Sequence, residues 1–165
     1  MVTQPEATVP AAAANPAEAA DLASAVVLVV DDHEQNLELL QAYIDESIGC
    51  RVRLARTGVE ALDIVAADQP DIVLLDVMMP RMSGFQVCAK LKGDPGTRDI
   101  PIVMVTALNE VGDVERAVES GADDFLTKPV NRLELTTRVK SLLRVRMLKK
   151  QLEATLAQVR RLSGE

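Results

Sequence analysis

The fold is decided by the stretch Val26-Val27-Leu28-Val29-Val30-Asp31-Asp32, in which five aliphatic residues end abruptly in two carboxylates. The stretch Ile72-Val73-Leu74-Leu75-Asp76 repeats this pattern later in the chain. Continuous β-branched and aliphatic runs are typical of strands that are buried on both faces of a parallel sheet. Ligands bind in the crevice beyond the carboxyl ends of such strands. We therefore expect the three carboxylates to converge on one pocket.

The three carboxylates of this pocket predict a metal site. Like charges placed close together in a protein pocket cannot all stay ionised unless a cation is present. Hard divalent cations prefer oxygen ligands, and Mg²⁺ retains several of its waters in such sites. The sequence therefore predicts that Asp31, Asp32 and Asp76 bind Mg²⁺.

Strand-like runs alternate with helical patterns along the rest of the chain. Strands are predicted at residues 26–30, 51–55, 72–75, 102–106 and 124–127, and helices at about 34–46, 58–68, 84–92, 111–120 and from 132 onward. Thr57 and Ser83 are each followed three residues later by Glu or Gln, as in a capping box, and Asn131 is a predicted N-cap with Glu134 placed to complete it. Five successive βα units predict an α/β fold with a doubly wound parallel sheet.

Composition limits the class of protein. The 165 residues are enough for one domain. Residues 1–25 contain ten Ala and three Pro but no Lys or Arg, so they lack the basic region of a secretory signal. We interpret them as a disordered leader, in which residues 17–25 could form a transient helix. No run of about 18 apolar residues is present, so we expect no membrane span. Cys50 and Cys88 lack CxxC spacing and are interpreted as buried free thiols of a cytoplasmic protein.

The charge of the chain is unevenly distributed. The total is −7, but residues 132–165 carry a net charge of +6, which leaves residues 1–131 at −13. An acidic body does not favour nucleic acid, and the basic end has no aromatic side chain to stack on bases. We therefore expect no direct binding of nucleic acid and interpret the basic end as a solvated helix face.

Two further polar residues lie at ends of predicted strands. Thr106 ends the fourth strand and Lys128 follows the fifth, so a hydroxyl and an ammonium group reach the same edge as the carboxylates. A single Asp at a strand end is more often a turn former than a catalytic residue. Five such residues on four strands of one sheet are hard to explain by turn chemistry alone.

Over residues 26–143 the sequence resembles the receiver domain of two-component response regulators. The resemblance rests on motifs in the order and spacing of that family, namely VVDD at 29–32, DIVLLDVMMP at 71–80, SG at 83–84, PIVMVTA at 101–107 and GADDFLTKP at 121–129. It implies a flavodoxin-like, five-stranded sheet in the order 2-1-3-4-5. We divide the chain into a leader at 1–25, a receiver domain at 26–143 and a helical extension at 144–165.

The resemblance implies roles for the acidic residues. Asp76 would be the nucleophile that accepts a phosphoryl group from a phosphohistidine on a histidine kinase or phosphotransfer protein. Asp32 and Asp76 would ligate Mg²⁺ directly and Asp31 through a water, with the backbone carbonyl of Met78 as a further ligand. The chain would then be a phosphoacceptor signalling protein and not an enzyme, apart from catalysing its own phosphotransfer and dephosphorylation.

The resemblance also implies a switch. Lys128 and the hydroxyl of Thr106 would contact phosphoryl oxygens, and the bond before Pro129 would be cis. Thr106 and the aromatic Phe125 would move together on phosphorylation and alter the face formed by helix 111–120, the fifth strand and the last helix.

We expect secondary roles for three other residues near the pocket. His33 is the only His, and we interpret it as a bystander that points outward at the start of a helix. Met78 and Leu108 are expected to border the path of the water that removes the phosphoryl group.

Two alternatives remain open beside the receiver reading. A Mg²⁺-dependent phosphohydrolase of the haloacid-dehalogenase type would place a second Asp two residues after its nucleophile, where this chain has Met78. A pseudo-receiver would bind partners without phosphate, although such domains usually lack part of the set of five polar residues.

The helical pattern continues beyond the part that resembles a receiver. Val145, Leu148, Leu152, Thr155, Val159 and Leu162 follow the spacing of a coiled-coil seam. We expect a homodimer through 145–162 and the receiver face. Membrane-surface binding by a basic amphipathic helix is the rival explanation. No output domain is recognisable, so the chain would act on a downstream protein or through an output domain of a longer parent.

Overall fold

A computed structural model describes residues 15–164 except 108–110, and it leaves out the side chains of Val111, Asp113 and Val114. Five parallel strands form one sheet in the order β2-β1-β3-β4-β5. The strands are β1 (Val26–Val30), β2 (Arg51–Ala55), β3 (Ile72–Asp76), β4 (Ile102–Thr106) and β5 (Asp124–Thr127). The helices are α1 (Pro16–Ala23), α2 (Glu34–Ser47), α3 (Gly58–Ala67), α4 (Gly84–Gly93), α5 (Val111–Glu119) and α6 (Arg132–Leu162). The predicted doubly wound, flavodoxin-like sheet is confirmed.

The sheet separates two hydrophobic layers. Successive side chains of a strand point to opposite faces, so Val27 and Val29 pack with residues of α2 and α6, while Leu28 and Val30 pack with residues of α3 and α4. Strands β1 and β3 are direct neighbours, and Val30 lies opposite Leu75 in their register. The acidic residues that follow these strands therefore lie at the same edge of the sheet.

The three predicted N-cap residues make different sets of hydrogen bonds. Ser83 and Gln86 form the complete capping box of α4, because each side chain accepts the backbone N–H of the other residue. Thr57 caps α3 by accepting the N–H of Glu60 at 3.1 Å, but the Glu60 carboxylate accepts the N–H of Arg56 instead of completing a box. Asn131 caps α6 by accepting the N–H of Glu134.

Part of the segment that we interpreted as a disordered leader is helical, which corrects that interpretation for residues 16–23. Residues 16–23 form helix α1, with Asn15 as its N-cap, while residues 1–14 lie outside the described part. Leu22 is buried against α6, and Glu18 forms an ion pair with Arg144. The helix is stable in this position because Leu22 packs against a surface on α6. The sequence of α1 alone does not reveal that surface.

The last helix also stays attached to the receiver beyond residue 143, where we placed the domain boundary. Lys150 Nζ lies 2.8 Å from Asp71 Oδ1, and the other oxygen of Asp71 accepts the N–H of Val26 at 2.8 Å. Gln151 donates to Asp21 of α1 at 3.2 Å. The extension therefore leaves the body of the domain only after about Gln151. None of the helices that the structure describes is long and apolar enough to cross a membrane.

Candidate functional site

Four strands bring the predicted polar residues to one edge of the sheet. Asp31 directly follows β1, Asp76 ends β3, Thr106 ends β4 and Lys128 directly follows β5. The N–H of Lys128 donates to the carbonyl of Thr106 at 2.8 Å, which joins the ends of β4 and β5. The parallel register thus determines the pocket, because each strand ends at the same level of the sheet.

Lys128 connects the two most buried carboxylates. Its Nζ lies 2.9 Å from Asp31 Oδ2 and 3.4 Å from Asp76 Oδ1. Asp31 and Asp76 are only 1% and 3% exposed, so water screens these contacts weakly. The peptide bond between Lys128 and Pro129 is cis, the isomer that the resemblance implies.

The environment of the pocket raises the pKa of Asp76. Burial, followed by the charge of Asp31, raises the pKa of Asp76 above its ordinary value, although Lys128 and a backbone hydrogen bond from Met78 oppose the change. Burial alone would lower the pKa of Lys128. The hydrogen bond to Asp31 and the charge of Asp76 outweigh burial, and the pKa of Lys128 is raised. A single ammonium group is therefore not enough to compensate the carboxylates fully.

The donor set of the pocket fits a divalent cation. Oδ1 of Asp32 is buried and has no hydrogen-bond partner among the described residues. A buried, unpaired carboxylate oxygen is costly, because it has lost its water without gaining a partner. A cation would supply the missing partner, and carboxylate oxygens are the ligands that Mg²⁺ prefers. The residues that could hold such an ion are Asp31, Asp32 and Asp76, and the ring of His33 lies beside them.

Both oxygens of Asp31 already have partners. Oδ2 accepts from Lys128, as described above, and Oδ1 accepts the backbone N–H of His33 at 2.9 Å. Asp31 is therefore less available than Asp32 for direct contact with an ion. The expectation that Asp31 contacts Mg²⁺ through a water stays a prediction.

The loop after Asp76 depends on Gly84, whose close contact with the loop is not evident from the sequence. The N–H of Gly84 donates to the carbonyl of Val77 at 2.9 Å. A Cβ atom on Gly84 would lie 2.2 Å from the carbonyl oxygen of Asp76, which is backbone and cannot move aside easily. Helix α4 therefore packs against the loop that follows the candidate nucleophile, and a residue without a side chain is needed there.

The remaining predicted residues surround the pocket. Thr106 is buried at 6% exposure, whereas Phe125, on the neighbouring strand, is 36% exposed. The side chain of Met78 faces solvent at 63% exposure. The ring of His33, interpreted as a bystander, is 68% exposed, and its Nδ1 lies 3.1 Å from Asp32 Oδ1. Leu108, expected to border the water path, lies outside the described residues.

Comparison with known proteins identifies the family. The family described as response regulator receiver domain matches residues 27–140, well over half of the chain. The chain belongs to this family of receiver domains. This membership excludes the alternative of a haloacid-dehalogenase-like phosphohydrolase. Met78 also stands at the position where such an enzyme would have its second Asp.

The relatives of this receiver are response regulators of two-component systems. Response regulator PleD of Caulobacter vibrioides is 50% identical over 139 residues, which cover 84% of this chain and 30% of PleD. Response regulator MprA of Mycobacterium tuberculosis is 44% identical over 118 residues, which cover 72% of this chain and 50% of MprA. The chain thus spans half or less of these relatives.

A solved structure agrees with the fold. The signal receiver domain of a signal transduction histidine kinase from Syntrophus aciditrophicus superposes with a TM-score of 0.69 at 38% identity. The match covers 73% of this chain and 90% of that domain. The family match at residues 27–140 leaves α1 and the end of α6 outside it.

Proposed function

We propose that this receiver accepts a phosphoryl group on Asp76 from a histidine kinase or phosphotransfer protein. A carboxylate oxygen of Asp76 would attack the phosphorus of the partner's phosphohistidine. The P–N bond would break as the P–O bond forms, and the imidazole nitrogen would keep the electron pair. The product is an aspartyl phosphate, a mixed anhydride. The single observation that carries this proposal is the contact of Lys128 Nζ with both Asp31 and Asp76 in one buried pocket.

A divalent cation, which we propose to be Mg²⁺, would be held by Asp32 and Asp76, by Asp31 through a water and by the carbonyl of Met78. When bound, Mg²⁺ neutralises charge on the transferring phosphoryl group and helps to keep it in line. The support within this chain is the buried, unpaired Oδ1 of Asp32. The raised pKa of Asp76 points in the same direction, because positive charge nearby would favour its nucleophilic, ionised form.

Lys128 and Thr106 would bind the phosphoryl group itself. Lys128 contacts the Asp76 oxygen already, so it is placed to pair with an oxygen of a group attached there. The Thr106 hydroxyl, at the end of the next strand, would donate to another phosphoryl oxygen. Both residues would therefore stabilise negative charge without taking part in bond formation.

Phosphorylation would then change the outer face of the sheet through Thr106 and Phe125. The ring of Phe125 is part-exposed, and β4 and β5 are adjacent strands, with Thr106 opposite Thr127. A large apolar ring with both an outer and an inner packing position is a two-state element that a small shift of Thr106 can bias. The affected face would be formed by α5, β5 and α6.

The long last helix would join two copies of the chain. The predicted seam residues from Val145 to Leu162 are exposed, and its apolar members are between 49% and 82% exposed. Val145 and Val159 at a positions, with Leu148 and Leu162 at d positions, favour a parallel, two-stranded coiled coil, while Leu152 and Thr155 depart from this pattern. Pairing would bury this stripe, and the receiver face would strengthen the pairing after phosphorylation. The assembled helices would act on a downstream protein or an output domain.

We propose proteins and not nucleic acid or a membrane surface as the direct partners, because the body of the chain is strongly acidic. We also propose a cytoplasmic location. The two cysteines are free and buried, as expected in a reducing compartment.

The second candidate is a pseudo-receiver that binds partners without phosphate. All five polar residues are present, which favours the phosphoacceptor. The two are separated by incubating the protein with acetyl phosphate and Mg²⁺ and measuring the intact mass. We expect one added phosphoryl group, which hydroxylamine removes and which EDTA or Asp76→Asn prevents. No added mass in the wild-type protein, at any Mg²⁺ concentration, would favour the pseudo-receiver.

A further inference from the structure

A nitrogen donor lies among the carboxylates of the pocket. His33 is the only His of the chain. Its Nδ1 lies 3.1 Å from Asp32 Oδ1 and 3.4 Å from Asp31 Oδ1. This nitrogen and one carboxylate oxygen each from Asp31, Asp32 and Asp76 all lie within 4.8 Å of one another. The pocket therefore offers a ring nitrogen in addition to the three carboxylates that the sequence predicted.

The ring of His33 neither caps a helix nor fills the core. His33 is the N-cap residue of α2, but its side chain makes no capping hydrogen bond. The ring is 68% exposed, so it contributes little to the core. The backbone of His33, in contrast, is fixed by its hydrogen bond to Asp31. The Cα atom of His33 is therefore held beside the pocket.

Nδ1 of His33 and Oδ1 of Asp32 lie close together without the geometry of a hydrogen bond. Although Nδ1 and Oδ1 are only 3.1 Å apart, Oδ1 has no hydrogen-bond partner among the described residues. Two neighbouring ligands on an octahedral ion, each bound at about 2.1 Å, lie roughly 3.0 Å apart. The observed separation of these two atoms matches that spacing.

We propose that Nδ1 of His33 is a metal ligand beside Oδ1 of Asp32, which makes the pocket bind transition-metal ions in addition to Mg²⁺. Neutral imidazole suits borderline ions such as Zn²⁺, Ni²⁺ and Co²⁺, whereas Mg²⁺ prefers oxygen ligands and keeps its waters. His33 therefore strengthens binding of the first class and leaves Mg²⁺ binding unchanged. This inference rests on the proposed function only in that Asp32 must bind a divalent cation.

Competition between ions follows from this ligand set. A transition-metal ion would occupy the same carboxylates as Mg²⁺ and hold them more tightly through the added nitrogen. Loss of a group that supports a bound metal typically weakens its affinity by about 10- to 100-fold. The dissociation constant for Co²⁺ should therefore rise at least about tenfold in His33→Ala.

The test uses Co²⁺ and Mg²⁺ as probes and the full chain without an affinity tag. Calorimetric titrations compare the wild-type protein with His33→Ala and with His33→Phe, which keeps a ring but has no nitrogen. We expect both variants to lose Co²⁺ affinity and to keep Mg²⁺ affinity within about twofold. Because the chain has a single His, a paramagnetically shifted imidazole N–H signal in the Co²⁺ form can come only from His33.

The outcomes separate this inference from the proposed function. Unchanged Co²⁺ affinity in both variants, or a wild-type Co²⁺ form without the shifted imidazole signal, overturns the role of His33. Asp32→Asn is the control for the site itself and should weaken both ions. If neither ion binds the wild-type protein, or if Asp32→Asn weakens neither, the proposed metal site fails and the inference fails with it.

Discussion

Asp76 lies in a position that lowers the stability of the fold and that the proposed phosphoryl transfer requires. It is almost fully buried, and its neighbours Asp31 and Asp32 are also acidic. The fold places these carboxylates together although the arrangement is unfavourable without a cation. Functional sites commonly keep such groups, whose pKa values are perturbed by burial and by like charges.

Asp76→Asn should therefore raise the free energy of unfolding near neutral pH without Mg²⁺, on the order of 1 kcal/mol. The raised pKa of Asp76 means that the folded state holds a proton more tightly than the unfolded chain does. The penalty is absent below the pKa of an unfolded Asp, about 3.9, and grows as the pH rises through the folded-state pKa. Urea unfolding at about pH 7 and about pH 4 measures the difference.

The exposed Asp63 provides the control for this prediction. Asp63→Asn should change stability by less than about 0.5 kcal/mol at either pH. If Asp76→Asn lowers stability near neutral pH, the strain assigned to the pocket is wrong.

At the scale of elements, helix α4 and the loop after β3 depend on close contact at Gly84. Gly84→Ala should lower the free energy of unfolding by about 3 kcal/mol, because its Cβ would meet the Asp76 carbonyl at 2.2 Å. Urea unfolding measures the loss, and acetyl phosphate labelling shows whether the loop still accepts a phosphoryl group.

Gly93, at the other end of the same helix, is the matched control. A Cβ atom there would meet nothing within 4 Å, so Gly93→Ala should be neutral or stabilising by up to about 1 kcal/mol. Equal effects of the two substitutions would show that helix propensity, and not contact with the loop, determines the result at Gly84.

Helix α1 is the element whose structure differs most from what we expected from the sequence. Leu22→Ala should lower the free energy of unfolding by about 2 kcal/mol, because the side chain is 7% exposed and packs in the core. Leu133→Ala, at a position that is 75% exposed, should change it by less than about 0.5 kcal/mol. If thermal or urea unfolding of Leu22→Ala matches the wild type, α1 does not stabilise the domain.

The sequence predicts the sheet well because aliphatic runs and strand-end carboxylates report burial and topology directly. It predicts Thr57, Ser83 and Asn131 as helix starts because capping is a local property. It does not predict that α1 docks, because the partner surface of Leu22 lies on α6, far along the chain. The contact of Lys150 with Asp71 and the place of the His33 ring also depend on tertiary structure, which spacing alone does not reveal.

At the scale of the whole molecule, α6 extends from the receiver to an exposed seam. Its 31 residues span about 46 Å at 1.5 Å per residue. The first turns beyond residue 143 are joined to the domain by Arg144 and Lys150. The free part, after about Gln151, is therefore held in a defined direction relative to the pocket that contains Asp76.

Leu152→Glu combined with Val159→Glu should abolish dimers, because both residues lie in the seam and are 59% and 55% exposed. Light scattering of the full chain, with and without acetyl phosphate, measures the mass. Ala157→Glu, on the opposite side of the helix from the seam, should leave the dimer intact. If the wild-type chain is monomeric at high micromolar concentration in both states, the extension does not pair.

Chemical localisation of the phosphoryl group tests the central claim most directly. After incubation with acetyl phosphate and Mg²⁺, borohydride reduction converts an aspartyl phosphate to homoserine, and peptide mass spectrometry identifies the residue. We predict homoserine at Asp76, only when Mg²⁺ is present and at no other position. An unreduced Asp76 together with homoserine at another Asp, such as Asp31 or Asp32, would contradict the assignment.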